Sequence, residues 1–329
     1  MTLSRRTLLT AVVAGGALAG CGRGRGAEGG GAAGSPTVSA AGTASATATG
    51  APSATPSAGA SAGASATPSA GASATSVAAS GAPSAGPSAA PAVAREPGRA
   101  ELVQRYAALV PTEWGLDLPG VVTGLPAGEQ ATALTFDACG GPGGSRYDAD
   151  LIDFLRAHEV PATLFLNARW IDANPGTFEQ LAADPLFEIG NHGTVHRPLS
   201  VTGRSAEGIA GTGGVGEVYD EVAGNAHKLT DLLGHPPRFF RSGTAYYDDV
   251  ATRVVADLGE RIAGFTVNAD GGATLPAAEV RQEVASAPPG AIVIGHMNQP
   301  GRGTARGVVA ALPGLLAAGR RFVRLSDVL

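Results

Sequence analysis

The 329-residue chain has 23 basic and 28 acidic side chains and a formal charge of −5, so it offers no basic surface for nucleic acid. Its two cysteines cannot build the disulfide framework that supports small secreted domains. Whole-chain averages conceal two materials, a low-complexity N-terminal part and a domain-forming C-terminal part.

Residues 1–21 read MTLSRRTLLTAVVAGGALAGC. An apolar run of about 14 residues follows Arg5 and Arg6, short of the roughly 20 that span a bilayer, so an export signal is expected and not a membrane anchor. Leu18-Ala19-Gly20-Cys21 resembles the lipobox of bacterial lipoproteins, and Ser4-Arg5-Arg6 with Leu8 and Leu9 resembles a twin-arginine signal. The expected mature chain is lipidated at Cys21 and held at the outer face of the cell membrane. Cys139 is then left unpaired.

Residues 22–97 consist almost wholly of Ala, Ser, Gly, Pro and Thr, with TPSAGASA at Thr55–Ala62 and again at Thr67–Ala74. Such a composition cannot bury enough apolar surface to offset chain entropy, so a disordered tether is expected. Gly59-x-Ser61-x-Gly63 matches a nucleophile motif by letter only, since no strand or helix surrounds it.

Residues 98–329 suffice for one domain with a full core. Short apolar segments predict strands at 132–137, 162–167, 187–190, 238–241, 263–268, 291–294 and 322–325. Between them, Leu151, Phe154, Leu155 and His158 share a helical face, as do Val218, Val222, Ala226 and Leu229, and Val250, Val254 and Leu258. Alternating β and α units imply a parallel sheet covered by helices. About seven such units suit an α/β fold of distorted, TIM-like (β/α) barrel type. Asp148, Asp150, Asp248 and Asp249 are expected to cap helices or face solvent. Gly211-x-Gly213-x-x-Gly216 follows no strand, so a loop into a helix is expected there and no nucleotide site.

Asp137 ends the first strand, immediately before a turn at Gly140, Gly141 and Pro142. His192, Arg241, Asp270 and His296 fall likewise at or just after strand ends. In a barrel those ends converge on one mouth. His192 and His196, spaced i and i+4, would share one side of a helical turn and could bind one metal.

Leu134-Thr135-Phe136-Asp137, then Glu188-Ile189-Gly190-Asn191-His192 with His196, then Phe240-Arg241, then Ile294-Gly295-His296 follow in the order of the polysaccharide deacetylase family. The chain resembles its NodB-homology domain, carbohydrate esterase family 4, from about Thr132 to Leu329. The resemblance implies metal-dependent removal of acetyl groups from peptidoglycan or another polysaccharide. His192 and His196 would hold a divalent metal, zinc first, with cobalt or nickel accepting the same ligands. Asp137 would act as general base, His296 as general acid, Arg241 as the partner keeping Asp137 ionised, and Asp270 as the partner setting the His296 tautomer.

The departures concern the metal. The family's second acid, its third ligand, is here Ala138. A Ser or Thr often follows the first His, where this chain has Gly193. The third motif continues as Ser242-Gly243-Thr244-Ala245-Tyr246 in place of Pro-Pro-Tyr-Gly. Three repairs stay open and are ranked in this order: Asp137 ligates, Cys139 ligates, or the site is metal-poor. A glycan-binding lipoprotein with a degenerate site is the alternative reading, separable by metal content. A thiol-dependent hydrolase built on Cys139 ranks third.

Overall fold

The computed structural model describes residues 95–329. The expected export signal, the lipidation at Cys21 and the tether of 22–97, save its last three residues, lie outside the described residues.

In chain order the first elements are α1 (Arg99–Tyr106), β1 (Trp114–Gly115), β2 (Val121–Val122), β3 (Thr132–Ala138), α2 (Ala149–Ala157), β4 (Ala162–Leu166), α3 (Ala168–Ala173), α4 (Pro175–Ala182) and β5 (Phe187–Asn191). The rest are α5 (Val215–Leu233), β6 (Phe239–Phe240), β7 (Tyr247–Asp248), α6 (Asp249–Asp257), β8 (Arg261–Ala263), β9 (Val267–Asn268), α7 (Ala277–Ser286), β10 (Ile292–His296), α8 (Gly303–Ala317) and β11 (Phe322–Val323).

The main sheet runs β2-β8-β6-β5-β4-β3-β10-β9, with β11 pairing the start of β3. Every pairing along it is parallel. The sheet curls until its ends approach: Gly124 bridges Ala291, and the Thr266 hydroxyl donates to the Thr123 carbonyl at 2.6 Å. This is the expected distorted barrel, with two differences. The predicted strand over 263–268 divides into β8 and β9, which lie far apart in the sheet. Between them the Gly264 carbonyl accepts Arg241 Nη2 at 3.0 Å. The two-residue β2 is too short to stand out from its turn-rich surroundings in sequence.

Strand alternation sorts the side chains. From β3, Leu134, Phe136 and Ala138 point outward into the main core, with Leu151 and Leu155 of α2, Trp170, and Val280 and Val284 of α7. Ala133 points inward, to a smaller cluster with Phe165, Phe239, Ile292 and Val323. A third cluster joins α1, α5 and α6 through Leu102, Val218, Val222, Val250 and Val254. Asp248 caps α6, accepting the Ala251 amide at 2.8 Å, whereas Asp148 stands before α2 without a side-chain capping bond.

Inside the barrel, Phe165 of β4 lies in register with Gly190 of β5 and plugs the space beneath the mouth. A Cβ on Gly190 would meet that ring at 2.7 Å. Gly190→Ala is therefore expected to cost about 1–3 kcal/mol through overpacking. A lowered urea midpoint would register the loss; an unchanged midpoint would show that Phe165 has room to move.

Candidate active site

The strand ends open into a cleft of about 930 Å³ whose lining includes Asp137, Cys139, His192, His196 and His296. Asp137 and His296 are register partners on the adjacent strands β3 and β10, which puts an acid and an imidazole side by side on one rim. Arg241 and His192 directly follow β6 and β5, and Asp270 lies two residues beyond β9. All five strand-end residues expected at the mouth meet there.

Arg241 is fully buried. Its Nη1 donates to Asp137 Oδ1 at 2.7 Å and to the Thr135 hydroxyl at 3.0 Å. Nε donates to the Ala263 carbonyl, and the guanidinium lies 4.2 Å over the Phe165 ring. Burial alone would raise the Asp137 pKa. Arg241, aided by His192 and His296, reverses that and holds the carboxyl below its ordinary range.

His296 turns Nδ1 to Asp270, at 3.0 and 3.2 Å from the two carboxylate oxygens. Asp270 also accepts the His296 amide and the Thr304 hydroxyl, each at 2.7 Å. Burial opposes a charge on the imidazole. Asp270 outweighs it, aided by the Cys139 sulfur, and lifts His296 well above its ordinary pKa.

His192 and His196 do not lie on a helical turn, contrary to the i, i+4 expectation. Gly193 (φ +76°) and His196 (φ +65°) both adopt left-handed backbone. The loop's amides are taken by α5: Thr194 N donates to the Glu221 carbonyl at 2.9 Å, and Val195 N and Arg197 N each donate to Glu221 Oε1 at 3.1 Å. A Cβ on Gly193 would stand 2.4 Å from that carboxylate, so the Ser or Thr of the family pattern has no room. The two rings still meet, edge to face, 5.0 Å apart.

Among the described residues, one group of ligand atoms lies mutually within 4.8 Å, those of Cys139, His192 and His196. Asp137 is not in that group, though its Oδ2 lies 3.6 Å from His192 Nε2. His192 Nδ1 lies 2.8 Å from the Arg241 carbonyl and must donate to it, so that in the neutral ring the lone pair is on Nε2. That buried nitrogen has no hydrogen-bond partner. An orphaned, inward-facing imidazole nitrogen beside a second imidazole and a sulfur fits a divalent metal. Burial alone would raise the Cys139 pKa, but His196, with His192 and His296, brings it well below the ordinary thiol range.

The sequence reading missed the residues that hold these groups. Asn167 Nδ2 donates to the carbonyls of His192 and Gly193 at 2.9 and 2.8 Å. Asn167 and Asn191 end strands just as the rim residues do, and that signal could have found them. Glu221, in mid-helix, carries no such mark.

Residues 125–263 match the family described as polysaccharide deacetylase. No curated protein matches the chain. Among solved structures, the fold is similar to that of a CE4 family pseudoenzyme from Bacillus anthracis, at 20% identity and a TM-score of 0.53 over 64% of this chain and 69% of that one. It is similar to a peptidoglycan N-acetylglucosamine deacetylase, at 22% identity and a TM-score of 0.53 over 64% and 92% of the two chains. It is also similar to Bacillus subtilis PdaA, a family 4 carbohydrate esterase, at 20% identity and a TM-score of 0.52 over 69% and 86%. At these identities the likeness is one of fold.

Beneath the cleft lies a buried polar network. Asn191 Nδ2 donates to Glu260 Oε1 at 2.9 Å and to the Val222 carbonyl, while its Oδ1 accepts Gly193 N and Asn225 Nδ2. Glu260 Oε2 has no partner. Burial pushes the Glu260 pKa well up, and the Asn191 hydrogen bond relieves this only in part. The folded state thus keeps a proton that the unfolded chain releases in the ordinary carboxylate range. Its contribution to stability is complete at acid pH and is lost as pH rises toward the folded-state value. Glu260→Gln, which cannot ionise, is expected to match the wild type near pH 4 and exceed it above neutrality. Urea unfolding at both pH values checks this, and an equal offset at each would remove the ionisation.

Proposed function

The folded domain belongs to the polysaccharide deacetylase family, and from that premise we propose that it hydrolyses acetyl groups, chiefly N-acetyl, on a cell-envelope or extracellular polysaccharide. A pseudoenzyme and a deacetylase share its fold, so fold alone does not favour activity. The observation that carries the reading is the pair of groups on one rim, each with its own partner: Asp137 bonded to Arg241 at 2.7 Å, and His296 bonded to Asp270 at 3.0 Å.

Asp137 takes a proton from the attacking water as its oxygen bonds to the acetyl carbon. His296 delivers a proton to the amine as the carbon–nitrogen bond breaks, leaving acetate and a free amino sugar. Arg241 keeps Asp137 ionised from the side facing away from the cleft. Asp270, by occupying Nδ1, turns the other ring nitrogen of His296 to the substrate. His192 and His196 would hold a divalent cation, zinc, beside Asp137. Such an ion, when bound, supplies Lewis-acid polarisation of the carbonyl and of water. Export and lipidation at Cys21, expected from the sequence, support a substrate in the cell's own envelope.

Acetate release from a panel of acetylated glycans, with and without chelator, tests the proposal. Release that stops on chelation is expected; no release from any glycan by the metal-loaded protein would leave the glycan-binding alternative. Asp137→Asn should lower kcat by at least about 100-fold while the protein stays folded.

The pH profile is expected to be a broad bell. Its acid limb falls below the ordinary carboxylate range and its alkaline limb well above the ordinary imidazole range, following the shifts of Asp137 and His296. Asp270→Asn removes the group that lifts His296, so the alkaline limb of kcat/KM should move to lower pH. A limb that stays in place would separate His296 from the acid role.

A further inference from the structure

The family's third ligand position is closed in this chain. Ala138 is the last residue of β3 and packs on the helix side of the sheet, in the core with Leu166 and Trp170. The next residue leaves the strand and regains the side that Asp137 occupies. That residue is Cys139, half-buried and lining the cleft. Its sulfur and one ring nitrogen each of His192 and His196 lie mutually within 4.8 Å. Within that group His192 Nε2 is 1% exposed at its side chain and has no hydrogen-bond partner. Asp137 lies outside that group: its Oδ1 is held by the buried Arg241 at 2.7 Å and its Oδ2 is 3.6 Å from His192 Nε2.

We infer that the third protein ligand of the metal centre is the Cys139 thiolate, so that this chain carries a Cys–His–His centre selective for thiophilic divalent cations, zinc and cobalt, over magnesium and manganese. The inference rests on the reading that His192 and His196 hold the metal, and it leaves Asp137 free as the base. A thiolate brings the same single negative charge as the missing carboxylate, so the charge of the ligand set is unchanged. What changes is softness: sulfur favours zinc and cobalt, whereas carboxylate and water favour the hard cations.

The test uses the purified full chain loaded with zinc or with cobalt. X-ray absorption at the zinc edge should show one sulfur at about 2.3 Å alongside nitrogen at about 2.0–2.1 Å. The cobalt form should show a near-ultraviolet sulfur-to-cobalt charge-transfer band. That band should vanish in Cys139→Ser and in Cys139→Asp, and persist in Cys21→Ser. Zinc affinity should fall in Cys139→Ser by at least about 100-fold, beyond the roughly 10–100-fold typical of losing an outer partner. Cys139→Asp should keep the metal and lose the preference for zinc over manganese.

A zinc shell without sulfur in the wild type would overturn the inference, and so would a charge-transfer band untouched by Cys139→Ser. The wild-type spectra decide even if a variant fails to fold. A sulfur-free centre that still releases acetate removes the thiolate and keeps the deacetylase. A sulfur-bound centre that releases acetate from no glycan does the reverse.

Discussion

The buried ion pair between Asp137 and Arg241 is the constraint on which the rest of the mouth depends. Removing a carboxylate and a guanidinium from water is costly, and such a pair holds only where further hydrogen bonds complete it. Here Arg241 finds Thr135 on β3, the Ala263 carbonyl ending β8 and the Gly264 carbonyl beyond it, with the Phe165 ring beneath. One side chain thus ties together the ends of β3, β6 and β8. The same contacts keep Asp137 ionised in a setting whose burial would otherwise favour its protonated form.

The departures from the family pattern are linked in space. Gly193 lacks a side chain where the Glu221 carboxylate needs the room, and Glu221 in turn fixes the amides of Val195 and Arg197. The His192–His196 loop is thereby held by α5 and Asn167 and not by helical hydrogen bonds. Ala138 gives its position to the core, and the sulfur of the next residue, Cys139, lies within 4.8 Å of a ring nitrogen of each imidazole. What looks in a linear pattern like a set of separate losses is a rearrangement around one loop and one strand end.

Much of the barrel was legible because buried parallel strands and amphipathic helices are local patterns. The strands at 132–138, 162–166 and 187–191 stand within a residue or so of where apolar runs and turn residues put them. The errors share a cause. The 263–268 run reads as one strand, yet between β8 and β9 the Gly264 carbonyl is taken by Arg241, a partner distant in sequence. The i, i+4 spacing of His192 and His196 suits a helix, yet Glu221 captures the amides that a helix would use.

From sequence alone came the alternation of strand and helix, the polar residues waiting at strand ends, and the absence of a second acid after Asp137. Those are properties of neighbours along the chain, governed by periodicity and turn chemistry. Only the tertiary structure decided which nitrogen of His192 binds the backbone, which oxygen of Asp137 the guanidinium holds and which sulfur lies beside the imidazoles. Each of those depends on a partner distant in sequence, as Arg241 is from Asp137 at a separation of 104 residues, and no local pattern encodes it.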